Sequence, residues 1–197
     1  MMNIGSKDLL VIIDMVNGFI NEGSLADHNI NKITPNIIKL IQKANEYGAP
    51  IVAFRDCHGY DDEEFATYPV HCIDGTYESE IIDELACYKD CFCEIKKDTT
   101  NGFVTKKFRS IADKNEFDNV VVCGCCTDIC VEGFVKSYLA FNKQNNRKTK
   151  ITVVADACYT FDGAGHDAKL CHEDSLKRMQ ELGANVMAMC HDRNVVR

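Results

Sequence analysis

Four short apolar runs in this chain each end in side chains that can do chemistry. LLVIID stops at Asp14, IVAFRDCH at Asp56 and His58, CEIKK at Lys97, and VVVCGCCTDIC at Cys130. A carboxylate closing a run as apolar as LLVII is costly unless it is paired or used. Beside a thiol, Asp14 could take the thiol proton and later deliver it to a leaving amine. A lysine would hold acid and thiolate in place electrostatically, and Lys96 rivals Lys97 for that part. The plainer alternatives are an N-cap or ion pair for Asp14 and a solvated lysine.

Several cysteines crowd the fourth run. Cys123 lies within it and is expected to be buried and inert, whereas Cys125 and Cys126 fall in the turn. Cys130 follows Thr127 and Asp128, both good N-cap types, so it should sit in the first turn of a helix. Free backbone N–H groups and the positive dipole end favour a thiolate there. Thiols so placed fall from about 8.5 towards roughly 3.5–7.5. The competing reading is one more small buried hydrophobe. The acid and lysine at neighbouring run ends favour a nucleophile. Backbone N–H groups around Cys126 and Cys130 could hold the oxyanion of a tetrahedral intermediate.

Asp56 and His58 alternate along an extended segment and so point the same way. Glu64 and His71 lie in the loop that follows. Histidine and carboxylate ligands with open positions suit Zn²⁺, Mn²⁺ or Fe²⁺. Loop-capping by Asp56 and a surface role for His58 are the alternatives. His28, His166, His172 and His191 have no comparable grouping and read as solvated or structural.

These residues need a scaffold that brings run ends together. The runs are short and β-branched, and each is followed by a turn and a helical pattern, which predicts parallel strands with crossover helices. Strands are expected at about Leu9 to Asp14, Pro50 to Arg55, Phe92 to Lys96, Asn119 to Cys123, Ile151 to Ala155 and Asn185 to Met189. Helices are expected at about Thr34 to Tyr47, Glu78 to Cys87, Thr105 to Asn115, Asp128 to Asn142 and Gly165 to Leu182. Thr34 is the expected N-cap of the first, with Pro35 at its first position and Gly48 as its stop. Gly18 to Asn31 and Cys57 to Thr76 read as loops, the second long enough to be functional. Six strands with intervening helices predict an α/β, three-layer doubly wound fold with a mainly parallel sheet. Ligands bind such sheets outside the carboxyl ends of the strands, where the reactive residues fall.

At 197 residues, 46% hydrophobic and 26% charged, the chain reads as a single domain over residues 1–197 with a full core. A net charge of −8 argues against non-specific nucleic-acid binding. No apolar run approaches the roughly 20 residues that span a bilayer. MMNIGSKDLL lacks the regions of a signal peptide, so a cytoplasmic protein is expected. The twelve cysteines would suit a disulfide frame in a small secreted chain. Here several, including Cys93, Cys123 and Cys190, lie inside strand-like runs, and buried free thiols in a reducing compartment are expected. The CxxC from Cys123 to Cys126 lacks a second pair for a zinc knot.

With these motifs in place, nearly the whole chain resembles the isochorismatase-like cysteine hydrolase superfamily, and within it the nicotinamidases. VIIDMVNGFI resembles the family's first strand, which implies Asp14 as catalytic acid and base and Phe19 as an aromatic wall. RDCH followed by YPVHCIDGT resembles the metal segment, implying Asp56, His58 and His71 as ligands, with Glu64 at the position of a glutamate some members add. KKDTTNGF resembles the lysine motif, and its distance to Phe103 selects Lys97. VVCGCCTDICV resembles the nucleophile motif, implying Cys130 as the thiol and a cis peptide between Cys125 and Cys126. The pattern departs from the family at Val16 and Gly18 (usually Gln and Asp), at Cys57 (usually Trp), and at Thr100 and Asn101 (often Tyr-Ser). Isochorismatases proper lack the cysteine, so Cys130 argues against vinyl-ether hydrolysis.

The resemblance implies a metal-assisted cysteine amidohydrolase, with zinc foremost, that converts nicotinamide to nicotinate and ammonia in NAD salvage. It also implies a homo-oligomer. A related hydrolase of another small amide, carbamoyl or ureido compound is the alternative. A thiol-rich redox or metal-binding protein without turnover is a rival of another class.

Overall fold

The structure, a computed structural model, describes residues 4–189; Cys190 and His191 lie outside the described residues. In chain order the elements are β1 (Leu9–Ile13), α1 (Asn17–Ile20), α2 (Thr34–Tyr47), β2 (Ile51–Asp56), α3 (Asp83–Ala86), β3 (Phe92–Lys97), α4 (Lys106–Lys114), β4 (Asn119–Gly124), α5 (Glu132–Gln144), β5 (Lys150–Cys158), α6 (Ala168–Glu181) and β6 (Asn185–Met187).

The strands form one sheet in the order β3-β2-β1-β4-β5-β6, and every pairing between them is parallel. All five residues of β1 are buried, as expected for a central strand covered on both faces. From β1 the chain steps outward to β2 and β3, then returns to β4 on the other side and steps outward again. Right-handed crossovers therefore put α2 and α3 on one face and α4, α5 and α6 on the other. The reversal creates a crevice between the carboxyl ends of β1 and β4, where α/β sheets bind ligands. Asp14 follows one of these strands, and the turn carrying Cys130 follows the other.

Aromatic side chains pack the second face. Phe54 of β2 meets Phe108 of α4 and Phe134 of α5 with ring centroids 5.3 and 5.6 Å apart. Truncating a ring such as the fully buried Phe108 would cost about 3–5 kcal/mol.

Tertiary pairing overrides one expected helix. Between Glu78 and Cys87 only a 3-10 turn at Tyr77–Ser79 and the single turn of α3 form. The residues between them are drawn out to pair with the end of the first strand region: Asn17 N donates to Glu80 O at 2.9 Å and Ile82 N to Met15 O at 3.1 Å. The expected loop from Gly18 is also shorter, because Asn17–Ile20 form a buried helical turn and His28–Ile33 a 3-10 turn. The other helices and strands lie within a few residues of expectation, and Gly48 ends α2 in the left-handed conformation. All eleven described cysteines are free, seven of them buried. No helix among the described residues is long and apolar enough to cross a membrane.

Candidate active site

The end of β1 turns sharply. Asp14 has a φ of 52°, a left-handed conformation that Asp tolerates better than most residues. Its side chain is fully buried. Across the crevice, Gly124 ends β4 with a φ of 117°, and a Cβ there would lie 2.0 Å from the carbonyl oxygen of Ile13. Only glycine lets β4 come this close to β1 before the chain turns into the cysteine segment. The Cys125–Cys126 peptide that follows is cis, where the family resemblance put it.

Thr127–Val131 then form a π-helical turn leading into α5. Cys130 is in that turn and 6% exposed, at the floor of a cavity. The expected lowering of its thiol by a helix end is reversed. Burial pushes the thiol well up; the Lys97 ammonium opposes this, and the Asp14 and Asp56 carboxylates reinforce it. A neutral thiol beside a base is the resting arrangement this favours.

Lys97 is the hub. It is fully buried, with Nζ 2.8 Å from Asp14 Oδ2, 2.6 Å from Asp56 Oδ1 and 3.9 Å from Cys130 Sγ. Those partners outweigh the burial that would lower it and hold the ammonium charged. Lys96 points the other way and pairs with Asp74 in solvent. Burial raises the Asp14 carboxyl to about 6, against the pull of Lys97. Neither Asp14 oxygen has a well-aligned hydrogen bond. Asp14 is thus a buried carboxylate with acceptor capacity in hand, beside a thiol that holds its proton tightly.

Asp56, His58 and His71 are buried and bring one ligand atom each to within 4.8 Å of the others. Both imidazole Nε2 atoms converge on Asp56 Oδ2, at 2.9 Å for His58 and 3.1 Å for His71. His71 Nδ1 lies 2.7 Å from the Pro69 carbonyl, which can only accept, so Nδ1 carries a proton and Nε2 is the nitrogen turned towards Asp56. His58 Nδ1 faces Asp62 Oδ2 at 3.0 Å. Outer partners of this kind orient histidine ligands around metals. A carboxylate and two imidazoles with open positions are a donor set for zinc or a similar divalent ion, so the residues fit such a group. Glu64 lines the same cavity but lies outside this trio.

The cavity above these groups has a volume of about 270 Å³. Phe19, Leu25, Tyr68 and Phe161 give it apolar walls, and Asp27, Glu64 and Asp162 give it carboxylates. Among the described residues no lysine or arginine lines it. Phe19 also packs on the His71 ring, with centroids 5.7 Å apart. Thr100, one of the departures from the family pattern, lines the cavity too. Gly18, another, lies where a Cβ would be 2.6 Å from Cys72 Sγ.

Sequence reasoning did not single out three features of this region. One is Asp62 behind His58. Another is Asp56 as a shared partner of Lys97 and both histidines, which joins the thiol centre to the metal-type trio. The third is His166, expected to be solvated or structural without a grouping; its Nε2 lies 2.8 Å from Asp128 Oδ2. His172 meets Thr127 Oγ1 at 2.9 Å. The spacing of Asp62 four residues after His58 is the only sequence signal for any of them.

The isochorismatase domain model matches residues 8–189. Nicotinamidase 1 of Arabidopsis thaliana is 36% identical over 95% of this chain and 88% of its own length. Among solved structures, N-carbamoylsarcosine amidase from Thermoplasma acidophilum is 28% identical, with a TM-score of 0.75 over 98% of this chain and 100% of that one. Pyrazinamidase of Pyrococcus horikoshii, solved in complex with zinc, has a TM-score of 0.78 at 24% identity over 93% of this chain and 99% of that one, a likeness of fold.

Proposed function

The chain belongs to the isochorismatase domain family, and on that premise we propose that it is a cysteine amidohydrolase converting nicotinamide to nicotinate and ammonia. One observation carries this reading: a single buried ammonium touches both a carboxylate and a thiol at the floor of a small aromatic cavity.

The chemistry follows from the two proton affinities. Asp14 takes the Cys130 proton as the sulfur attacks the carboxamide carbon, so no free thiolate has to persist in a buried site. Lys97 balances the charge while that proton is in transit. Backbone N–H groups around Cys126 and Cys130 receive the oxyanion. Asp14 then returns the proton to the departing nitrogen, ammonia leaves, and a thioester remains on Cys130. Water, deprotonated by Asp14, attacks the thioester; the sulfur leaves with the proton from Asp14 to restore the thiol, and the acid product gives its proton to solvent and departs as nicotinate. Phe19 packs against the ring of the substrate. Asp56, His58 and His71 would hold a divalent cation, zinc foremost, with Glu64 as a further carboxylate at its side. Such an ion supplies a Lewis-acid anchor for a ring nitrogen.

The cavity lining favours nicotinamide over the main alternative. Carbamoyl and ureido acids carry a carboxylate, and an anion in a cavity this size calls for a facing cation. Apart from the cation that Asp56, His58 and His71 would hold, the lining offers carboxylates and aromatic walls, which suits a neutral aromatic amide. The similarity to N-carbamoylsarcosine amidase keeps that second substrate class in the test.

The test is ammonia release from nicotinamide and from N-carbamoyl amino acids, each at matched concentration. Release from nicotinamide that persists in Cys87→Ala and vanishes in Cys130→Ala is expected. Release from the carbamoyl acids alone would overturn the substrate, and turnover by Cys130→Ala would overturn the mechanism.

A further inference from the structure

A second group of metal-type side chains stands behind the Phe161 wall of the cavity. Asp128, His166 and Cys171 bring a carboxylate oxygen, an imidazole nitrogen and a thiol sulfur to within 4.8 Å of one another. They come from three segments: the π-helical turn that carries Cys130, the turn that closes on itself between Gly163 and His166, and the first turn of α6. No part of the proposed reaction uses them.

The histidine is oriented as a ligand would be. His166 Nδ1 lies 2.9 Å from the Phe161 carbonyl, which can only accept, so Nδ1 carries the proton. Its Nε2 is thereby aimed at Asp128 Oδ2, 2.8 Å away. What stands between this nitrogen and the carboxylate is positive, either a second ring proton or a metal ion that replaces it. His71 and Asp56 repeat this arrangement, with the Pro69 carbonyl in the place of Phe161. The other Asp128 oxygen, Oδ1, is buried without a hydrogen-bond partner. That leaves an acceptor beside the cluster that no protein donor satisfies. The thiol adds a soft ligand that the Asp56 trio lacks.

We propose that Asp128, His166 and Cys171 form a second divalent-metal site, selective for zinc-like ions, behind the Phe161 wall of the cavity. Zinc bonds of about 2.0–2.3 Å put ligand atoms roughly 3–4 Å apart, within reach of a small turn of the partly exposed Cys171 side chain. Binding forms one bond each to oxygen, nitrogen and sulfur and releases to solvent the thiol proton and the proton that Nε2 shares with Asp128. Three protein ligands leave a fourth position for water. An ion here would pin together the turn holding Cys130, the start of α6 and Phe161. The Phe161 ring stacks on His166 at 4.0 Å and walls the cavity.

The experiment is zinc stoichiometry of the full chain, by equilibrium dialysis with metal analysis, in wild type, His166→Asn, Cys171→Ser and Asp56→Asn. Loss of one equivalent of zinc in both His166→Asn and Cys171→Ser, with an equivalent retained in Asp56→Asn, is the expected result. Cobalt-loaded wild type should also show thiolate-to-metal charge-transfer absorption that Cys171→Ser abolishes. Unchanged stoichiometry in both His166→Asn and Cys171→Ser would overturn the site, as would complete loss of metal in Asp56→Asn alone. Circular dichroism of each variant reports folding separately. A zinc equivalent lost in Cys171→Ser but unaffected by Asp56→Asn would uphold the second site even if the inner trio holds no metal.

Discussion

Asp14 and Glu132 are both buried carboxylates paired with cations, yet their environments push them in opposite directions. Glu132 begins α5 and is saturated. Its Oε1 accepts from Arg178 Nε at 2.9 Å and pairs with Lys136 Nζ at 2.6 Å, and its Oε2 accepts from Ser175 Oγ at 2.9 Å and Arg178 Nη2 at 2.7 Å. Against burial, these partners lower the carboxyl to about 2. Asp14 has one ammonium, no aligned hydrogen bond and a carboxyl raised to about 6. A carboxylate whose lone pairs are all taken fixes structure, because it has no reason to accept a proton. One left short of donors beside a buried thiol is suited to move a proton, and the fold bears the cost of keeping it ionised.

The largest expected effect breaks this contrast at its functional end. Asp14→Asn should lower kcat for amide hydrolysis by about 10²–10⁴, the range for loss of a general acid–base group. Its stability should move the other way. The folded-state carboxyl is raised above the ordinary 3.8, so folding is favoured by its protonation at low pH, and that contribution is lost as pH rises through about 6. A neutral Asn removes this dependence, and Lys97 keeps its 2.6 Å contact with Asp56. Urea melts at pH 7 should therefore show Asp14→Asn at least as stable as wild type. A large loss of stability would make Asp14 structural. For wild type, kcat/KM should fall on the acid side of about pH 6 as Asp14 becomes protonated and can no longer accept the thiol proton. A profile flat down to pH 5 would remove Asp14 as the base.

The structural end should respond in the reverse sense. Glu132→Gln keeps the shape and weakens charge-assisted hydrogen bonds worth roughly 1.5–3 kcal/mol, so urea denaturation at pH 7 should show a loss of about 2 kcal/mol with little change in kcat/KM. Because this carboxyl is lowered, the stability it adds is full above about 4.5 and is lost as pH falls towards 2. The gap between wild type and variant should close across that window. A gap independent of pH would mean that packing, and not charge, holds Glu132.

The sequence displayed the ends of this contrast unequally. β-branched runs closed by reactive residues were enough to read the six strands and to place Asp14 and Cys130 at one edge, because parallel order forces strand ends together. Spacing within a segment paired Asp56 with His58. Contacts between distant segments left no such mark. Glu132 with Ser175 and Arg178, and Asp128 with His166, join residues dozens of positions apart through packing of α6, and of the turn before it, on the Cys130 turn and the start of α5. The helix expected from Glu78 failed for the same reason, since Asn17 and Met15 claim its backbone. The thiol was misjudged in direction because a helix end is visible in sequence, whereas full burial beside two carboxylates is not.

The smallest expected effect tests whether burial, and not mere proximity of opposite charges, separates functional from ordinary pairs. Lys96 and Asp74 stand 2.7 Å apart, as close as Lys97 and Asp14, but both side chains are 54% exposed. Water screens such a pair and side-chain entropy opposes it, so it is worth about 0–1 kcal/mol. Lys96→Ala should shift the urea midpoint barely beyond error and leave kcat/KM and its acid limb where they were. The two neighbouring lysines share a strand and a charge, and differ in which face of the sheet edge they enter. A Lys96→Ala variant that lost activity would show that charge near the strand end, exposed or not, supports the reaction, and the special standing given to the buried ammonium would then be unwarranted.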